Sequence, residues 1–139
     1  MKFNIKYDYY RNAIVIPNFD YDGKLIGVRE RFLNPEDIAK GKYRPMFDNG
    51  TLYNHPLRYN LYNLNNAKDN IKRLKKAIVV EGEKGALLYS TYFGKEQDIC
   101  VAVCGSSISE YQIGLLLSCG VEEIVIAFDR QFQAIGDKE

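Results

Sequence analysis

Three short runs rich in valine and isoleucine alternate with two helical stretches between residues 77 and 128, and this order leaves few folds open. The runs, 77–80, 99–103 and 123–128, are almost continuously apolar, as strands covered on both faces of a sheet must be. Between them, 84–93 and 109–119 read as helices, each followed by glycine, Gly94 and Gly120, where a helix end favours a residue free of Cβ. Ser109 with Gln112 matches a capping box at the start of the second. Strand, helix, strand, helix, strand predicts a parallel βαβαβ sheet with right-handed crossovers.

The upstream part has a different texture. Ala13-Ile14-Val15-Ile16-Pro17 and the alternating run Leu25 to Leu33 flank Asp22-Gly23, the signal of an antiparallel β-hairpin. Pro35, Gly41, Pro45, Asn49-Gly50 and Pro56 make 34–63 an irregular segment with short extended pieces and no long helix. From Asn66, read as an N-cap, Ala67, Ile71 and Leu74 recur at helical spacing up to Lys75-Lys76. The fold class is therefore α/β, with a small mixed α+β subdomain at 1–76 ahead of the parallel unit at 77–139.

Hydrophobic residues make up 46% and charged residues 27% of the 139, which excludes disorder. No run reaches the roughly 18 apolar residues of a membrane helix, and the start, MKFNIKYDYY, lacks the apolar stretch of a signal peptide, so the chain reads as cytoplasmic, with no membrane partner. Cys100, Cys104, Cys119 and a single histidine, His55, give neither a disulfide framework nor a zinc site. The net charge of +1 conceals an imbalance: residues 1–76 hold 15 Lys/Arg against 8 Asp/Glu, a surplus of 7, and residues 77–139 hold 4 against 10, a deficit of 6. Such halves suit a polyanion gripped by one part and a hard cation held by the other; two solvated faces would account for them equally well.

Ligands of open parallel sheets bind outside the carboxyl ends of the strands. Those ends deliver Glu81-Gly82, the loop Gly105-Ser106-Ser107, and Asp129. Two carboxylates beside a small glycine-led loop form the minimum of a magnesium site, since Mg²⁺ keeps several waters and takes one or two carboxylates plus substrate phosphates. The alternative is that each acid only caps the helix or turn that follows.

At these residues the chain resembles a known family. Val79-Val80-Glu81-Gly82-Glu83-Lys84, Val101-Ala102-Val103-Cys104-Gly105-Ser106-Ser107 and Ile124-Val125-Ile126-Ala127-Phe128-Asp129 are similar to a Toprim domain, the metal-binding fold of bacterial-type (DnaG-like) primases, topoisomerases and some nucleases. Upstream, Ala13 to Pro17, Asp22 to Arg31, Lys42-Tyr43 and Leu61 to Ala67 resemble the smaller subdomain that precedes Toprim in the primase RNA polymerase core. The resemblance runs in order from about residue 10 to Asp129 and is of a phage or mobile-element type. It implies synthesis of RNA primers on a single-stranded DNA template from nucleoside triphosphates (NTPs), with Mg²⁺ or Mn²⁺ at the Toprim acids. It makes Glu81 a metal ligand or general acid/base and Asp129 a metal ligand, and sets Arg29, Arg31, Lys42 and Arg44 where the template cleft is expected. Gly82, Lys84, Gly105 and Ser106 are the corresponding nucleotide or phosphate positions. A replicative helicase would meet regions outside this chain.

Two departures bear on activity. The family expects acids where this chain has Gly85 and Gln131; Gln131 offers a metal only a carbonyl oxygen, and Asp137 has no spacing rule to recommend it as a substitute. The resemblance also implies more strand and helix beyond Glu139, so the chain alone is expected to prime poorly or not at all. A non-catalytic single-strand-binding module and a Toprim nuclease are the competing functions. Cys100, Cys104 and Cys119 read as small core groups, His55 as a loop residue without catalytic duty, and Lys84 as a partner for Glu83 or another surface acid. The tyrosines at 7, 9, 10, 43, 53, 59 and 62 suit base stacking or packing of a small β subdomain.

Overall fold

The computed structural model describes residues 3–129. A four-stranded antiparallel sheet comes first, in the order β1 (Lys6–Asp8), β2 (Ala13–Phe19), β3 (Leu25–Phe32), β4 (Tyr43–Pro45). The β2–β3 hairpin turns where the sequence places it. Gly23 has φ +85°, which a side chain would oppose, and the Asp20 carboxylate accepts the backbone N–H groups of Asp22 and Lys24 at 3.0 and 2.9 Å. The irregular segment holds a one-turn helix α1 (Pro35–Ala39) with Pro35 in its first turn, β4, and a two-residue hairpin, β5 (Phe47–Asp48) with β6 (Thr51–Leu52), around Asn49-Gly50.

The second helix, α2 (Leu64–Leu74), starts two residues before the predicted Asn66, and its N-cap residue is Asn63. Asn63 occupies the left-handed region at φ 73°, which asparagine tolerates, and its buried side chain donates to Asp98 Oδ2 and the Cys100 carbonyl, both at 3.0 Å. The cap side chain thus faces the sheet instead of the helix end.

The parallel unit follows as β7 (Lys76–Val80), α3 (Glu83–Phe93), β8 (Cys100–Ala102), α4 (Glu110–Ser118) and β9 (Glu123–Ile126), in strand order β8-β7-β9. Period-two alternation divides its core. Ala77, Val79, Val101 and Val103 pack with Leu64, Ala67 and Ile71 of α2 and Leu116 of α4 on one face. Val80, Cys100 and Ala102 pack on the other with Ala86 of α3 and with Ile14 and Ile16 of β2, which joins the antiparallel sheet to the parallel one. Each wholly buried Leu or Ile contributes about 1.5–3 kcal/mol over an exposed one. Tyr62 exchanges two backbone hydrogen bonds with Ala102, 2.9 and 3.1 Å, and so closes the outer edge of β8. The Ser109–Gln112 capping box forms as predicted. Cys104 lies past the end of β8, in the left-handed region at φ 59°.

Alternation on β3 sends Glu30 and Phe32 to the face opposite Arg29 and Arg31. Glu30 is 1% exposed, with Nη1 of Arg11 3.6 Å away; burial, and then a hydrogen bond to Asp8, push its pKa up from 4.5. The native state therefore retains a proton that the unfolded chain releases first. Its stabilising effect is complete below about pH 4.5 and is lost as pH rises through the elevated native value. Glu30→Gln is expected to flatten the decline in thermal midpoint above pH 4.5; a decline as steep as that of the parent chain would contradict this.

Candidate metal and nucleic-acid site

The path β7–α3–β8 runs to one side of β7 and the crossover through α4 returns to the other, so the strand order reverses between β7 and β9. Such a reversal opens a crevice at the carboxyl ends of its two strands. Glu81 leaves β7 there and Asp129 follows β9. The two meet: Oε1 of Glu81 accepts the backbone N–H of Asp129 at 2.7 Å.

A cleft of about 710 Å³ opens at this rim. Glu81, Gly82, Lys84, Gly105, Ser106 and Asp129 line its parallel-sheet side, and Arg29, Arg31, Lys42 and Tyr43 of the antiparallel sheet form the facing wall. Tyr43 braces that wall, with the Arg29 and Arg31 guanidinium carbons 5.2 and 5.9 Å from its ring centre. Its hydroxyl hangs over Gly82, where an added Cβ would come within 3.8 Å of it. Burial, then the negative charge of Glu83, raises the Tyr43 pKa and keeps the phenol protonated.

Of the residues singled out from sequence, Arg44 lies elsewhere. Tyr43 pairs with Arg31 and Arg44 with Glu30, so Arg44 faces away from the cleft, 3.3 Å from Asp37 and with its guanidinium 3.8 Å over the Phe32 ring. Gln131 and Asp137 lie outside the described residues. Lys84 is exposed and has no ion pair among the described residues; its neighbour Glu83 is wholly buried and pairs with Arg29, the Nε–Oε2 distance being 2.9 Å. The local reading of Glu83 as a partner for Lys84 is thus corrected by a contact that sequence spacing cannot show. His55 is also buried, its ring packed on Gly27 so closely that a Cβ there would fall 2.2 Å from Nδ1. Burial and the neighbouring Arg29 lower its pKa and favour the neutral ring.

The donor set suits a hard cation. Neither Glu81 nor Asp129 is ion-paired among the described residues, and both border open space. No three His, Cys, Asp or Glu side chains cluster in metal-binding fashion among the described residues, so water and substrate phosphate would complete the shell, as Mg²⁺ and Mn²⁺ permit. Gly85 cannot be replaced by an acid without local movement: a Cβ there would sit 3.0 Å from Cγ2 of Val80. Among the described residues no helix is long and apolar enough to cross a membrane.

Comparison with known proteins agrees with this architecture. The chain is 41% identical over 133 residues to the SPbeta prophage-derived uncharacterized protein YorJ of Bacillus subtilis, covering 93% of this chain and 35% of the relative. It is 34% identical over 129 residues to the DNA primase of Clostridium acetobutylicum, covering 88% and 19%. The solved zinc-binding and RNA polymerase domains of the Aquifex aeolicus primase superpose with TM-score 0.66 at 30% identity, over 84% of this chain and 27% of that one. In sequence and fold it resembles the DnaG-like primase core. A DnaG primase catalytic domain solved bound to single-stranded DNA shares this fold, with TM-score 0.64 at 23% identity, over 88% and 37%. No family model matches. The chain spans about a third of the prophage relative and a fifth of the primase.

Proposed function

We propose that this chain supplies the metal and template site of a primase that makes RNA primers on single-stranded DNA from NTPs, with Mg²⁺ or Mn²⁺ held by Glu81 and Asp129. One observation carries the reading: the Glu81 carboxylate reaches the Asp129 backbone across the β7/β9 crevice, with a basic wall facing both. A divalent cation there would neutralise triphosphate charge and favour attack by a primer hydroxyl. The Asp129 N–H fixes one oxygen of Glu81 and leaves the other for the cation. Arg31 and Lys42, both without an ion pair among the described residues, face the acids and meet strand phosphates, while Lys84 and the backbone N–H groups at Gly82, Gly105 and Ser106 take nucleotide phosphate. The unit at 1–76 thereby grips the template and that at 77–139 performs the chemistry.

Joined to the further strand and helix that a primase core carries beyond Glu139, and given a single-stranded template, NTPs and Mn²⁺, the chain is expected to give short RNA products and no template cleavage. Cleavage without nucleotides would replace this reading with a nuclease. Metal-independent binding with no product would favour the binding module, which the closed Gly85 position and its missing acid also suit.

A further inference from the structure

Arg29 lines the cleft, yet its charge is already engaged. Its side chain is 12% exposed and pairs at 2.9 Å with Glu83, which is not exposed at all. Asn18, also buried, adds a long contact of 3.4 Å to the same carboxylate oxygen. The other Glu83 oxygen, the Asn18 carbonyl oxygen and the Tyr62 hydroxyl are buried without a hydrogen-bond partner. Among the described residues, Arg29 is thus the one cation paired with Glu83, and a ligand that drew Arg29 away would leave a carboxylate buried and uncompensated. The pKa values of Tyr43, Tyr62 and Cys104 are all raised, first by burial and next by the Glu83 charge. Glu83 also opens α3 two residues beyond Glu81, whereas Arg29 belongs to β3, so the pair spans the two walls of the cleft.

We infer that Glu83 is a built-in counter-anion of the cleft: it occupies Arg29 as a phosphate would, confines strand contacts to the remaining cations such as Arg31 and Lys42, and ties the Glu81 loop to β3. Arg29 is then a positioning residue and not a phosphate contact. The inference rests on the strand-binding reading for its consequence, though not for the pair itself.

Binding of a fluorescent single-stranded oligodeoxythymidylate by the full chain, measured over a range of salt, reads the number of phosphate contacts, because each contributes about 0.7 to the slope of log K against log salt. Arg29→Gln/Glu83→Gln keeps two neutral amides that can hydrogen-bond, and should leave the slope unchanged and the Kd within about twofold of the parent. Arg31→Gln or Lys42→Gln should each reduce the slope by about 0.7. The same reduction in the double variant would overturn the inference by placing Arg29 on a phosphate. Thermal unfolding supplies a readout without nucleic acid. Each single change, Arg29→Gln or Glu83→Gln, should lower the midpoint by about 10 °C and the double change by less than either; additive losses would overturn the pairing. If the parent chain binds no strand at any salt, the strand-binding reading fails, and the unfolding cycle still decides the Arg29–Glu83 pair.

Discussion

In a primase core extended beyond Glu139, replacing Glu81 by Gln, or Asp129 by Asn, should lower Mn²⁺-dependent primer synthesis by about a hundredfold or more, because each change removes one of the two carboxylates offered to the cation and metal stabilisation of a transferring phosphoryl group amounts to several kcal/mol. Both substitutions preserve shape, and the amide introduced by Glu81→Gln retains an oxygen able to accept the Asp129 N–H, so the 2.7 Å contact that orients the rim need not be lost. Binding of single-stranded DNA in chelator should stay within about twofold, since the cationic contacts lie on the facing wall. Equal primer yields from the parent and both variants would remove the polymerase reading. A parallel loss of strand binding would instead show that the acids shape the cleft.

The second large effect concerns stability. Gln112 is 1% exposed; its amide nitrogen donates to the carbonyls of Leu57, Asn60 and Val103 at 3.1, 2.8 and 3.2 Å, and its amide oxygen accepts the Ser109 N–H at 2.9 Å. One side chain therefore joins the start of α4, the end of β8 and the segment leading to α2. Gln112→Leu preserves volume but strands three backbone groups, since the Leu57 carbonyl keeps the Asn60 N–H at 3.4 Å, and at on the order of 1 kcal/mol each the total is about 3 kcal/mol. For a chain of this size that is a fall of roughly 10 °C in thermal midpoint. Ser109→Ala, which removes the cap oxygen and the hydroxyl's bond to the Arg58 carbonyl at 2.6 Å, should cost about 1–2 kcal/mol. A Gln112→Leu midpoint within 2–3 °C of the parent, about 1 kcal/mol on this scale, would mean the amide is not the junction described.

These residues also show where sequence is readable. The βαβαβ order is legible because its strands are unbroken apolar runs and its helices end on Gly94 and Gly120, signals confined to a few neighbouring residues. The Ser109–Gln112 cap is legible for the same reason, whereas the three carbonyls gathered by the same glutamine come from segments distant in sequence. In the first half β1, α1, β4, β5 and β6 have five residues or fewer, too short for a period to register. Arg29 and Arg31 are two apart on a strand and share a face, as alternation requires. Arg44 needs the β3–β4 register, which sets it opposite Glu30 and outside the cleft. Glu83 misleads because the adjacent Lys84 offers a partner, although the true one sits in another sheet.

The central claim is that Glu81 and Asp129 share one cation. Manganese binding to the full chain, followed through the electron paramagnetic resonance signal of free Mn²⁺, tests it most directly. The account predicts saturable binding that weakens by at least about tenfold in Glu81→Gln and again in Asp129→Asn. Binding that persists undiminished in both variants would contradict it.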